Sequence, residues 1–243
     1  MFAASFAFAA LFAAIHLSIG WMTFLDRTPR SRWLSAAGGV AVAYVFLHIL
    51  PELAAHQSIF SEELELSPAK AEEAVYLSAL GGLVLFYGLE KLVKSARRKD
   101  AAGGRGAAPG SGDFWLHTGS FALYNLITGY LLTNRETAGA WSLLAYGVAM
   151  SLHFVTTDFG LRQDHSHKYD RTARWIIAGA VLGGWALGVS VHLPELWLGF
   201  LFAFLSGGII LNVLKEELPE ERDSRFWPFA GAALVCAAAL LAA

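Results

Sequence analysis

The chain has 243 residues, of which 56% are hydrophobic and only 16% charged, and its mean hydropathy is +0.48. A soluble domain carries about a quarter charged residues, so a soluble fold is excluded as the starting assumption. A net charge of −2 points neither to nucleic acid nor to a polybasic membrane-docking surface, and the single Cys236, set in an apolar run, rules out an intrachain disulfide framework or zinc ribbon.

A transmembrane helix needs roughly 20 apolar residues, and apolar runs bounded by charge or turn residues predict eight spans. They lie near 3–25, 33–55, 74–94, 114–133, 140–161, 173–192, 195–215 and 226–243. The start, Met1-Phe2-Ala3-Ala4-Ser5, lacks the basic region of a cleavable signal peptide. The first span holds one histidine, His16, read as structural. The second carries His48, Glu52 and His56 at i, i+4 and i+8, one stripe at its outer end, and Pro51, which frees a backbone carbonyl near position 47. An acidic outer segment follows (Glu62, Glu63, Glu65, Glu72, Glu73). The third span pairs Glu90 with Lys94 at i+4. Residues 95–113, rich in glycine, alanine and basic side chains, read as a flexible cytoplasmic loop within a single membrane domain.

The fourth and fifth spans carry the polar residues near mid-membrane. Tyr124, Asn125 and Thr128 lie on one, and Ser151, His153, Thr156, Thr157 and Asp158 on the other. Ionisable groups in hydrocarbon need a partner or a task. His153, Thr156 and Thr157 share a face, whereas Asp158 lies about 140° around a regular helix from His153. Oxygen and imidazole donors meeting between two helices suit zinc, iron or manganese, while hydrogen bonding between helices is the competing use of such residues. Asp158 has a second candidate partner in Arg162 at i+4. Beyond the fifth span, Asp164-His165-Ser166-His167 reads as an inner loop. His192-Leu193-Pro194-Glu195 reads as capping and turn chemistry. Helices 2 and 7 both place Leu-Pro-Glu about a dozen residues after a glycine pair, the latter with Glu216 and Glu217 before it and Glu220 closing it. This echo predicts an inverted repeat.

Sixteen of the eighteen basic residues fall in loops that are cytoplasmic if the N-terminus lies outside; Lys70 and Arg135 are the other two. Basic residues stay on the cytoplasmic side, so both termini are expected outside a cytoplasmic (inner) membrane. No nucleophile elbow, His-Glu-x-x-His or P-loop occurs. Ser151 and His153 are two residues apart and point apart, so no local triad forms and no enzyme is expected.

With eight spans, outer termini, a variable loop after the third and His48-Ile49-Leu50-Pro51-Glu52-Leu53 on the second, the chain resembles the ZIP (Zrt/Irt-like) family of divalent metal transporters. The resemblance implies an all-α integral membrane protein, an eight-helix bundle with an inverted repeat of helices 1–3 and 6–8. It implies metal contacts at Asn125 and His153, with Asp158 in place of a glutamate. The family's His-Asn-x-x-Asp-Gly is here Tyr124-Asn125-Leu126-Ile127-Thr128-Gly129, and its His-Glu-x-Pro-x-Glu is His153-Phe154-Val155-Thr156-Thr157-Asp158. The departures at Tyr124, Thr128 and Phe154 remove donors from a two-metal centre, and Thr156 replaces the helix-bending proline. The expected metal contacts are therefore Asn125, His153, Asp158, Tyr124, Thr128 and Thr157, with His48 and Glu52 at the entrance and Glu216 toward the exit. The expected function is alternating-access transport of a divalent cation; a non-transporting sensor or interaction protein on the same scaffold is the alternative. The lipid bilayer and a divalent cation are the expected partners, nucleic acid is not, no resident cofactor is called for, and the bundle leaves room for a homo-oligomer.

Overall fold

The computed structural model describes residues 1–25, 32–102, 111–134, 139–217 and 225–242. Among them, all regular structure is helical. The helices are α1 (Phe2–Ser18), α2 (Arg32–Tyr44), α3 (Leu50–Ala55), α4 (Gln57–Glu63), α5 (Pro68–Ala102), α6 (Ser111–Leu131), α7 (Ala140–Lys168), α8 (Arg174–Ser190), α9 (Glu195–Glu217) and α10 (Phe226–Leu241). A π-helical turn, Val45–Ile49, joins α2 to α3, so eight long helices stand where eight spans are expected. The turn has a local cause. The ring of Pro51 clashes with the carbonyl four residues back and offers it no N–H, and one widened turn absorbs both.

Among the described residues, five stretches are long and apolar enough to cross a membrane: Phe2–Trp21, Arg32–Glu63, Pro68–Leu92, Ser166–Ser190 and Glu195–Lys215. Helix α10 is apolar but has 16 residues. Helices α6 and α7, of 21 and 29 residues, are long enough, and the polar residues they bury lower their hydropathy: Asn125 and Thr128 on one, His153, Thr156, Thr157 and Asp158 on the other.

Side-chain contacts fix the helix directions. Along α1 and α7, Phe8 meets Gly147, Phe12 meets Phe154, His16 meets Asp158, and Gly20 lies against Arg162, so the two run parallel. Along α1 and α8, Ser5 meets Trp185 while His16 meets Tyr169, so these run antiparallel. The chain therefore reverses between Arg162 and Arg174, a segment that ends in a second π-helical turn, Tyr169–Ala173. Helices α5 and α9 are parallel, with Gly82 at Phe204 and Glu90 at Lys215. So are α2 and α10, with Ser35 at Arg225 and Val40 at Cys236. So are α6 and α8, with Leu126 at Gly184 and Asn134 at Gly188. Strictly alternating directions along the chain satisfy every one of these relations.

The parallel neighbours approach closely because glycine lines their crossings. A Cβ on Gly129 would strike the Val181 carbonyl, and one on Gly184 the Leu126 carbonyl; Gly82 and Gly207 make the same reciprocal pair between α5 and α9. Association in lipid rests on such packing, since hydrocarbon offers no hydrophobic drive between helices. The contacts sort the helices into two groups, α1, α6, α7, α8 and α2, α5, α9, α10, which meet chiefly where α2 packs on α7 and α5 on α6. Exchanging the first three long helices with the last three, and α6 with α7, carries the pair α2–α10 into α9–α5 and α6–α8 into α7–α1.

We call the end holding the start of α1 the outer end. Trp21, Trp33, Trp115, Trp175 and Trp227, all exposed, gather at the inner end, as indole rings do at a bilayer interface. The expected loop 95–113 is narrower than its composition suggests. Helix α5 continues through Ala102 and α6 begins at Ser111, because Ala, Arg and Lys favour a helix until Gly103-Gly104. Residues 164–167, expected as an inner loop, lie in the last turns of α7.

Candidate functional site

Helices α1, α6 and α7 bring three polar side chains together in the buried interior. His16, Asn125 and Asp158 are each at most 1% exposed. His16 Nδ1 lies 2.6 Å from Asp158 Oδ2 and its Nε2 lies 2.8 Å from Asn125 Oδ1. The Asn125 amide donates to the Phe121 carbonyl at 2.9 Å, which fixes its oxygen as the atom facing the ring. Oδ1 can only accept, so Nε2 carries a proton and donates it. One further proton then lies between Nδ1 and the carboxylate, and on either atom the pair is neutral overall, which suits a buried position.

The surroundings hold this unit in place. The Tyr169 hydroxyl lies beside Asp158 but donates to the His16 carbonyl at 3.1 Å, and Arg174 Nη1 reaches the Leu17 carbonyl at 3.5 Å. These two residues satisfy carbonyls that the end of α1 leaves open. Phe154 packs its ring 4.8 Å from His16 and edge-on to Phe12 at 5.1 Å. A position where the ZIP motif has a ligand is thus an aromatic wall.

The residues expected to share an ion are divided. Asn125 and Asp158 are joined, through His16 rather than through a cavity. His153 faces elsewhere, as the about 140° separation on an unbroken α7 requires. Its ring lies 5.9 Å from that of Tyr124, and both His153 Nε2 and the Tyr124 hydroxyl are buried without a hydrogen bond among the described residues. The Thr128 hydroxyl donates to the Tyr124 carbonyl, and those of Thr156 and Thr157 to the His153 carbonyl, so these protons serve the helix backbone. Among the described residues, no three His, Cys, Asp or Glu side chains converge as they would on one metal ion. Arg162 does not take Asp158; it forms a two-pronged pair with Asp170 at 2.9 and 3.0 Å. Glu90 pairs with Lys215 of α9 at 2.8 Å; the side chain of Lys94, its expected partner, lies outside the described residues. Of Glu216 and Glu217 only the backbone is described, and Glu220 lies outside the described residues.

Toward the outer end a cavity of about 350 Å³ opens between α2–α4, α6, α7 and α9. The expected stripe lines it: His48 Nε2 lies 3.2 Å from a Glu52 carboxylate oxygen, and His56 Nδ1 donates to the Glu52 carbonyl at 2.8 Å while its ring stacks on Phe202. Thr133, Asn134 and Glu195 complete the polar wall, and Leu131 and Tyr146 lie at its inner part. An inner cavity of about 30 Å³, near one water in size, touches Glu90, His117, Tyr124 and Lys215. Neither cavity is lined by Asn125, His153 or Asp158. Sequence reasoning missed His16, whose apolar neighbours give no sign of its task, and Glu195, which passes for a helix cap.

No family model, curated protein or solved structure matches this chain.

Proposed function

We propose that the protein is a membrane permease for a divalent cation of the zinc, iron or manganese class, similar in kind to the ZIP transporters. The observation that carries this reading is the outer cavity walled by His48, Glu52, His56 and Glu195. Its inner wall at Leu131 lies six residues, about 9 Å along α6, from the buried Asn125. A wide outer cavity and a water-sized inner one fit a state open on one side. The two helix groups are the units that would rock, with the paired exchange of helices fitting an inverted repeat. A cation would pass the His48/Glu52/His56 stripe and rest where His16 releases Asn125 and Asp158, with His153, Tyr124, Thr128 and Thr157 beside it. It would leave toward Glu216. Purified protein in liposomes should take up radiolabelled zinc or manganese, and His153→Ala should slow uptake by about tenfold or more, in the range that losing a metal contact costs. Uptake unchanged in His153→Ala removes the proposal.

One observation favours a second reading, a non-transporting membrane protein on this scaffold. His16 already engages Asn125 Oδ1 and Asp158 Oδ2, and Phe154 fills a ligand position. On that reading the parent binds no metal by calorimetry, and Phe154→Glu with Thr128→Asp creates binding.

A further inference from the structure

The outer cavity is larger and more apolar than a bare metal ion requires. Its polar wall is made of acceptors. The Asn134 amide hydrogens go to the Tyr130 and Gly188 carbonyls and to Thr133, the Thr133 hydroxyl donates to the Tyr130 carbonyl, and the Tyr146 hydroxyl donates to the Thr128 carbonyl. What these three residues can offer a ligand is lone pairs. His48 Nε2 lies against the Glu52 carboxylate and His56 donates Nδ1–H to the Glu52 carbonyl, so both rings are oriented by Glu52. Two carboxylates, Glu52 within and Glu195 on exposed chain at the start of α9, add negative charge.

The rest of the wall is apolar: Ile59, Leu131, Leu198 and the Phe202 ring. A volume of about 350 Å³ falls in the range of small-molecule sites and far exceeds a bare ion. No three metal-type donors converge in it among the described residues. Acceptors, two carboxylates, an aromatic face and an apolar floor together match a ligand with N–H donors, positive charge and a hydrocarbon body.

We propose that this cavity binds a small protonated organic amine with an apolar body, its ammonium group held by Glu52, Glu195 and the Asn134 side-chain oxygen. This goes beyond the permease reading and does not depend on it. Zinc or manganese uptake tests that reading; amine binding to purified protein tests this one.

The probes are benzylamine, its neutral isostere benzyl alcohol, and manganese chloride alone, titrated by calorimetry into the full chain in nanodiscs, with empty nanodiscs as the lipid control. Benzylamine should bind saturably above that control, and benzyl alcohol about tenfold or more weakly. Glu195→Gln and Glu52→Gln should each weaken benzylamine by about tenfold, and Glu195→Gln, on exposed chain, should leave thermal unfolding unchanged. Leu198→Ala, which enlarges the apolar floor without touching charge, should weaken both organic probes alike. Equal binding of the amine and the alcohol overturns the proposal. So does benzylamine binding that survives the double Glu52→Gln, Glu195→Gln variant. Manganese binding that Glu195→Gln abolishes, with no benzylamine binding, overturns it in favour of a metal vestibule.

Discussion

His16 satisfies two buried acceptor groups with one ring, and both partners lie far away in sequence, at separations of 109 and 142 residues. Removing the ring takes away the hydrogen bond at Asp158 Oδ2 and leaves the buried carboxylate with only the neutral Tyr169 hydroxyl beside it. The expected loss of stability for His16→Ala is about 3–5 kcal/mol, the cost of breaking a buried pair from one side. Asp158→Asn is milder, because the new amide can still donate to Nδ1; an exchange of one hydrogen bond for another should cost about 1–2 kcal/mol. Thermal and denaturant unfolding in detergent would check the order, and an Asp158→Asn loss as large as that of His16→Ala would refute it. The same pair shows what the sequence could and could not say. Asp158 and Asn125 stand out because a carboxylate and an amide in hydrocarbon demand partners. His16 sits in a run of alanine, phenylalanine and leucine whose spacing carries no trace of α6 or α7. Asp158 has its tempting neighbour Arg162 four residues on, yet that guanidinium reaches Asp170 across the chain reversal, which no local spacing reveals.

At the scale of helices, the apolar runs locate the elements well: the expected 226–243 is α10, and the expected 173–192 is α8 within two residues at each end. The pairing of helices is a different matter, because it depends on which glycines face a neighbour. Gly183 and Gly184 are adjacent, yet a Cβ on Gly184 would strike the α6 backbone while one on Gly183 would meet open space. The sequence shows two glycines; only the fold separates them. Gly129→Val on α6 should therefore destabilise by about 1–3 kcal/mol or more, as forced overpacking against backbone does. Gly183→Val should stay within about 0.5 kcal/mol of the parent, as surface changes usually do. Comparing the two variants by thermal unfolding in the same detergent isolates the crossing from any general effect of valine in a helix. Equal losses would mean that close approach of α6 and α8 is not what holds that pair.

For the whole molecule, orientation follows from charge and aromatic placement rather than from any single contact. Alternating directions satisfy the parallel and antiparallel pairs and put the ends bearing Trp21, Trp33, Trp115, Trp175 and Trp227 together. Arg174 and Arg225 begin their helices at that same end. Basic residues collect at a cytoplasmic boundary, whereas tryptophans mark either interface, as the exposed Trp141 and Trp197 at the other end illustrate. On the orientation expected from the basic loops, the end with the large cavity, where Glu52 and Glu195 lie, would face outward. Two exposed serines report the two ends: Ser58 on α4, near the cavity, and Ser166 in the last turns of α7. In a Cys236→Ala background, Ser58→Cys should react in intact cells with a maleimide that cannot cross the membrane. Ser166→Cys should react only once the cells are opened. The opposite pattern would turn the molecule over and place the acidic cavity on the cytoplasmic side, leaving every helix contact as it stands. Reaction of both in intact cells would be more damaging. It would put the two ends of α7 and α4 on one side of the bilayer, which the parallel course of α1 and α7, held by His16 and Asp158, does not allow.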